Sequence, residues 1–166
     1  MRVFRFIRGP LDTVGLRDEL ADPSCGGYAA FEGWVRNHNE GASVRRLEYE
    51  AYEALGLREG ERILDEAVER FGVTRVACVH CLGDLEVGDV AVWVGVSAPH
   101  RDEAFRACRY VIDEVKHRLP IWKKEHYVNG DSGWVNCERC ASAPAATTSG
   151  PGTQAHEHAQ GRAHTR

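Results

Sequence analysis

One segment of the chain, residues 90–96, is apolar on both of the faces that a β-strand presents. Its sequence is Val-Ala-Val-Trp-Val-Gly-Val, and successive side chains of a strand point to opposite faces. We therefore expect it to be the most buried strand of the fold. Residues 101–118 follow closely and predict an amphipathic helix that Pro120 ends, because one stripe collects Ala104, Phe105, Cys108, Val111, Ile112 and Val115.

The rest of the chain predicts short strands and two further helices. Alternation and turn residues place strands at 2–7, 27–35, 44–52, 74–82 and 121–128, and helices at 12–21 and 56–71. Glycine and aspartate predict turns at 83–84 and 87–89. Tyr49 shares one face of its predicted strand with Leu47 and Ala51, and Leu57 belongs to the apolar stripe of the predicted helix 56–71. The order β-α-β-β-α-β-β-α-β favours an α+β domain whose helices pack on a largely antiparallel sheet.

Composition limits the size and the class of the protein. The 166 residues suffice for one domain, which we place at residues 1–136. Residues 137–166 are rich in Ala, Gly, Ser, Thr and His, and predict a disordered tail. A formal net charge of −4 argues against a general nucleic-acid binder. No apolar run has the length of a membrane span, and residues 1–8 do not fit a secretory signal, so we expect a cytoplasmic protein.

Six cysteines raise the question of disulfides or metal. Cys78 and Cys81 form a C-x-x-C unit, but they lie on a predicted strand, where positions three apart face opposite sides. The second unit, Cys137 and Cys140, is too distant in sequence for a compact zinc module. We therefore predict reduced thiols and no metal site. A metal-responsive regulator that uses the Cys- and His-rich tail remains an alternative.

Lysine is unusually rare in this sequence compared with arginine. The chain has eighteen arginines but only three lysines, Lys116, Lys123 and Lys124. Arginine stays charged near neutral pH, whereas a lysine can act as an amine nucleophile or a proton donor when its pKa is lowered. The cluster therefore indicates a site that handles anions, although compositional drift or packing would also explain it.

Two other segments could bind an anion. Ser97-Ala-Pro-His-Arg-Asp102 joins the buried strand to the amphipathic helix, where free N–H groups, His100 and Arg101 would suit a phosphate. Gly33-Trp-Val-Arg-Asn-His-Asn39 ends a strand in a polar loop, where Arg36 could clamp an anion. Helix capping and simple solvation are the alternatives for these residues.

Six longer motifs follow one another along the chain. They are Phe31-Glu-Gly-Trp-Val-Arg-Asn-His-Asn39, Leu47-Glu-Tyr-Glu-Ala-Tyr52, Gly83-Asp-Leu-Glu-Val-Gly-Asp89, Val96-Ser-Ala-Pro-His-Arg-Asp-Glu-Ala-Phe105, Lys116-His-Arg-Leu-Pro-Ile-Trp-Lys-Lys-Glu125 and Trp134-Val135. Taken in this order, they resemble one family, the large catalytic subunit of molybdopterin synthase. The resemblance covers roughly residues 3–136.

The resemblance implies an α/β-hammerhead fold and a homodimer within a heterotetramer. A small ubiquitin-like sulfur carrier would insert its C-terminal Gly-Gly thiocarboxylate into a pocket of the large subunit. The implied reaction is sulfur transfer from this carrier to cyclic pyranopterin monophosphate, which forms the molybdopterin dithiolene. It requires no cofactor and no protein cysteine.

The resemblance also implies the site residues. Lys116 and Lys123 would be catalytic, and the substrate would contact Trp34, Val35, Arg36, His100, Arg101, Lys124 and Glu125. The sequence departs from the family at Cys81, which usually is arginine, and at Trp34, which often is polar or basic. These departures leave open a non-catalytic paralogue that only binds the carrier, although all three lysines are present.

Overall fold

The computed structural model describes residues 1–131 and 133–137, which form one sheet and three helices. The strands are β1 (Arg2–Arg8), β2 (Gly27–Trp34), β3 (His38–Asn39), β4 (Ala42–Ala51), β5 (Arg75–Glu86), β6 (Val90–Ala98), β7 (Ile121–Tyr127), β8 (Gly130–Asp131) and β9 (Val135–Asn136). The helices are α1 (Thr13–Glu19), α2 (Glu53–Phe71) and α3 (Arg101–Arg118). The predicted α+β class is confirmed: all strand pairs are antiparallel except β1 with β5.

The long strand β5 connects the two parts of the sheet. Its first part pairs with β6 on one side and with β1 on the other, and its last part pairs with β4. The predicted turn at 83–84 is wrong, because the strand continues through Gly83 to Glu86. Gly83 has φ +85, a conformation that other residues adopt only with strain, and it lies where β4 replaces β1 as the neighbour. A glycine that predicted a turn therefore marks an exchange of strand partners.

Helices cover both faces of the central strands. On one face, Leu16 and Leu20 of the α1 region pack with Trp93, Ala77 and Val79. On the other face, α2 and α3 cover Val92, Val94 and Val96 of β6. The predicted strand 90–96 is confirmed as β6, in which every residue after Val90 is buried.

Helix α2 begins at Glu53, earlier than predicted, and ends at Gly72, which has the left-handed φ of +66. Arg118 of α3 binds Glu59 and Glu66 of α2 and so ties the two helices together. Two residues that we assigned to apolar stripes are exposed, Leu57 in α2 and Phe105 in α3. Among the described residues, no helix combines the length and the apolar character that a bilayer crossing requires.

A tight hairpin joins β3 to β4. Glu40 and Gly41 both have positive φ values, 47° and 80°, as the two central residues of a type I′ turn require. This turn returns the chain from the loop at 35–37 to β4 and fixes that loop beside the sheet.

The last described segment lies against β7. Val135 and Asn136 pair with Lys123 and Trp122, and the backbone N–H of Cys137 donates to the carbonyl of Ile121 over 3.0 Å. Ordered packing therefore extends at least to Cys137, which is buried. The rest of the predicted disordered tail lies outside the described residues.

Candidate functional site

A cavity of about 290 Å³ opens where β2, β4, β7 and the end of α3 meet. Its walls combine apolar and cationic side chains. They are Phe31, Gly33, Trp34, Arg36, His38, Val44, Leu47, Tyr49, Ala91, Val92, Lys116, Lys123, Glu125 and Cys137. This volume is at the small end of ligand pockets, which range from about 300 to 1,000 Å³.

Lys116 reaches the cavity from the last turn of α3. Its ammonium lies over the face of the Tyr49 ring, 5.8 Å from the ring centroid. This geometry suits a cation–π contact, because the ring face carries negative charge. Within the described chain, no carboxylate forms an ion pair with Lys116.

Lys123 is held in a different way. Its Nζ donates to Oε1 of Glu125 over 2.7 Å, and both side chains are largely buried. Oε2 of the same carboxylate accepts from Nδ2 of Asn39 over 2.8 Å and from the hydroxyl of Tyr127. Burial by itself would raise the pKa of Glu125, but the hydrogen bonds from Lys123 and Tyr127 and the lysine's charge outweigh it and lower that pKa. The pair therefore stays ionised at neutral pH.

Arg36 enters the cavity from the loop between β2 and β3. Its guanidinium donates to Oδ1 of Asn39 over 3.4 Å, which places it at the edge of the Glu125 network. Trp34 is exposed at the mouth, and its indole N–H donates to Glu32. A Cβ on Gly33, which also lines the cavity, would lie 2.8 Å from Val92, so glycine permits the close approach of β2 to β6.

The other predicted site residues do not line this cavity. Val35 is buried in the core, and its backbone bonds to the turn at Asp89. Lys124 is adjacent to Lys123 on β7 and so faces the opposite side of the sheet. His100 and Arg101 lie at the start of α3, whereas Lys116 lies at its end, and about 15 helical residues separate them by on the order of 22 Å.

Three of the described cysteines are unsuited to chemistry at this site. Cys78, Cys81 and Cys108 are buried free thiols, and burial raises the pKa of each, to about 11 for Cys81 and Cys108. Cys81 donates to the carbonyls of Gly9 and Val90, so it has a structural role where the family usually has arginine.

One group of described residues brings metal-type ligands together, on the far face of β4 and β7. Glu48, Asp84 and His126 place ligand atoms within 4.8 Å of one another. Each of them already has a protein partner, because Arg46 binds Asp84 and His126 contacts Glu48 over 3.2 Å. The predicted C-x-x-C unit in the tail falls on residues that are not all described.

Sequence reasoning missed three contributors to the site. Tyr49 was assigned only to the buried face of a strand, although its ring faces Lys116. Asn39 and His38 were treated as loop residues, yet Asn39 links Arg36 to Glu125. The signal for Asn39 was present in the motif that ends at this residue, but its partner lies 86 positions away.

Comparison with known proteins identifies the family. The family model described as MoaE protein matches residues 7–118, which is more than half of the chain. The chain belongs to the MoaE protein family. A relative from Synechococcus elongatus, named molybdopterin synthase catalytic subunit, is 46% identical over 77% of this chain and 79% of its own length. A relative of the same name from Pyrococcus abyssi is 43% identical over 72% of this chain and 80% of its own.

Solved structures of MoaE relatives share the fold. The crystal structure of molybdopterin synthase from Staphylococcus aureus aligns with a TM-score of 0.76 and 36% identity, over 80% of this chain and 96% of that one. A complex of subunits 1 and 2 of the molybdopterin-converting factor from Helicobacter pylori aligns with a TM-score of 0.65 and 27% identity, over 77% and 87% of the two chains. The resemblance inferred from the motifs is therefore confirmed at the level of the family and the fold.

Proposed function

We propose that this chain is the catalytic subunit of a molybdopterin synthase, which moves sulfur from the thiocarboxylated C-terminus of a small carrier to cyclic pyranopterin monophosphate. The observation that carries the proposal is the meeting of Lys116, Lys123 and Arg36 in one cavity, from three separate elements. Relatives named molybdopterin synthase catalytic subunit match most of the chain. Both reactants are anionic, and cationic walls favour their binding.

The surroundings of the two lysines suggest different roles. Lys123 is paired with buried Glu125 and stays an ammonium, which suits it to stabilise an oxyanion or to deliver a proton. Lys116 lies over the Tyr49 ring, and no carboxylate of the described residues forms an ion pair with it, so its amino group is not held by a counter-charge there. We therefore assign to Lys116 the attack on, or polarisation of, the carrier's terminal carbonyl, and to Lys123 the electrostatic assistance.

A substrate-binding role for His100 and Arg101 requires a second copy of the chain. Strand β2 pairs with β6 on one side, and no described strand pairs with its other side. This free edge carries exposed Tyr28, Phe31 and Trp34, with exposed Phe105 of α3 nearby. A long apolar edge is a template for pairing with another strand, and we propose that two β2 strands pair antiparallel in a homodimer.

This dimer would place His100 and Arg101 of one copy at the cavity of the other. Gly27 begins β2 and lies against the backbone of His100 and Arg101, because a Cβ there would be 2.9 to 3.0 Å from their atoms. Trp34 ends β2 at the cavity mouth, about 24 Å away along the strand. Antiparallel pairing centred near Ala30 and Phe31 brings the first residue of one β2 to the last residue of the other. His100 and Arg101 would then serve the partner's cavity.

Reconstitution tests the reaction. The protein is mixed with thiocarboxylated carrier and cyclic pyranopterin monophosphate, and molybdopterin is measured after oxidation to its fluorescent derivative. Lys116→Ala should abolish product formation and leave carrier binding largely intact. Lack of product from the unaltered chain, with carrier bound, would favour the non-catalytic paralogue. Cytoplasmic localisation stays a prediction.

Mixing two inactive variants tests the shared site. Lys116→Ala and Arg101→Ala homodimers should each be inactive or strongly impaired. A mixed dimer would have one cavity with both changes and one with neither, so refolding the two proteins together should restore activity. Absence of recovery in dimers that are shown to be mixed would contradict a site built from two copies.

A further inference from the structure

His80 is a buried histidine that the proposed reaction does not use. It lies in β5, its side chain is fully buried, and its Nδ1 is 2.8 Å from the carbonyl oxygen of Cys81. A carbonyl only accepts hydrogen bonds, so Nδ1 carries the proton and Nε2 is left with a lone pair. In the described structure that Nε2 has no hydrogen-bond partner. A buried polar atom without a partner costs free energy and calls for a functional or structural reason.

The surroundings of His80 lead directly to Lys116. The imidazole contacts the Tyr49 ring edge-on, with centroids 5.0 Å apart and an interplanar angle of 77°. Lys116 lies over the same Tyr49 ring, with Nζ 5.8 Å from the centroid. Phe6 and then Phe4 continue the series of edge-on rings into the core. One tyrosine ring therefore contacts both the buried histidine and the ammonium at the cavity.

The imidazole is neutral whenever the protein is folded near neutral pH. Burial lowers the pKa of His80, and the positive charge of Lys116 lowers it further, to about 3. His80 is therefore unable to act as a proton acceptor for Lys116. The neutral imidazole of His80 has a fixed dipole, and its electron-rich end is Nε2.

We propose that His80 is a positioning residue for Lys116: the neutral imidazole and the Tyr49 ring form one electron-rich wall that holds the lysine's ammonium in the cavity. An apolar wall by itself would disfavour the ammonium, and the ring face and the imidazole dipole offset that penalty. The inference rests on the proposed role of Lys116. The other titratable groups that line the cavity or interact with Lys116 are unchanged in every variant below, and they are Cys78, Arg36, His38, Tyr49, Lys123, Glu125 and Cys137.

The small number of lysines makes a direct test possible. Protein labelled with ¹³C at the lysine ε-carbon gives three lysine signals, which Lys→Arg variants assign, and each is followed by NMR as the pH rises. His80→Phe keeps a ring of similar size and removes both nitrogens. We expect the Lys116 signal to titrate at lower pH in this variant than in the parent protein. His80→Gln, which keeps an acceptor near the position of Nε2, should restore most of that difference.

Lys124 provides the internal control, because it faces the other side of β7 and its titration should be the same in all variants. If His80→Phe does not fold, His80→Asn takes its place, since its amide can still donate to the Cys81 carbonyl while Nε2 is lost. An unchanged Lys116 titration in the folded variant that lacks Nε2 would overturn the inference.

The activity assay separates this inference from the proposed function. In His80→Phe, the limb of the pH–rate profile that depends on Lys116 should move to lower pH by the same amount as the NMR titration. Inactive unaltered protein would refute the proposed function and leave the NMR result valid. If the unaltered protein is active but His80→Phe and His80→Gln give the same Lys116 titration and the same pH–rate profile as each other, only the positioning role is refuted.

Discussion

The buried pair of Lys123 and Glu125 gives the sharpest test of the site's energetics. The side chains are 16% and 8% exposed, and 2.7 Å separates Nζ from Oε1. At an effective dielectric constant of about 20, two unit charges at that distance attract by about 6 kcal/mol, and desolvation of both ions offsets part of this. Glu125→Gln removes the buried carboxylate that accepts from the Lys123 ammonium. We expect it to lower the free energy of unfolding by about 2 to 4 kcal/mol at pH 7.

Urea denaturation followed by tryptophan fluorescence, at one protein concentration, measures this loss. The matched control is Asp65→Asn, which breaks an exposed 2.6 Å ion pair with Arg2 and should cost about 0.5 kcal/mol or less. Because folding lowers the pKa of Glu125, its contribution is present above the unfolded pKa of about 4.3 and is lost as the pH falls through the folded pKa. The difference in the free energy of unfolding between the parent protein and Glu125→Gln should therefore disappear as the pH is lowered. Equal losses for Glu125→Gln and Asp65→Asn at pH 7 would refute the reasoning.

Three further predictions concern the rest of the fold. Gly83→Ala should lower the free energy of unfolding by about 1 to 2 kcal/mol because φ is +85 there, and Gly133→Ala, at an open position, should be close to neutral in the same urea titration. Mass spectrometry after brief alkylation of the folded protein should find Cys25 modified well before three of the buried thiols, Cys78, Cys81 and Cys108. Hydrogen bonds from Ser24 lower the pKa of Asp22 to about 2, so Ser24→Ala should raise the pH at which this carboxyl titrates by NMR; an unchanged titration would contradict that cause.

The elements that the sequence predicts well are those whose pattern is local. The period of α3 and the two apolar faces of β6 are visible in short windows, and both are confirmed. Phe105 belongs to the same helical pattern, yet it is exposed because it lies beside β2, where no further described strand covers it. Whether an apolar residue of the helix is buried depends on where the sheet ends, and the sequence of the helix itself does not contain that information.

The site was predictable to the extent that its residues stand out chemically. Lys116, Lys123 and Arg36 were singled out as cations, and the structure brings these three side chains into one cavity. The resemblance assigned Lys116 and Arg101 to one site, but the helix that the sequence predicts over residues 101–118 already separates them. In the structure α3 is one unbroken helix, which separates the two ends by its full length.

The role of Tyr49 was hidden for a related reason. Alternation correctly assigned its side chain to the buried face of β4, and a buried tyrosine is usually core. Its contacts with His80 and Lys116 join residues from three elements, β4, β5 and α3, that are distant in sequence. Such a contact depends on the exchange of neighbours along β5, which the sequence indicated only as a turn.

That continuous β5 strand has a consequence for how the enzyme loses activity. The strand bonds to β1 and β6 in the core and, beyond Gly83, to β4, which forms a wall of the cavity. The cavity wall is therefore unable to detach while the core persists, and the two should melt as a single cooperative unit. Heat should then inactivate the protein in step with its global unfolding, with no temperature range in which folded but inactive molecules accumulate.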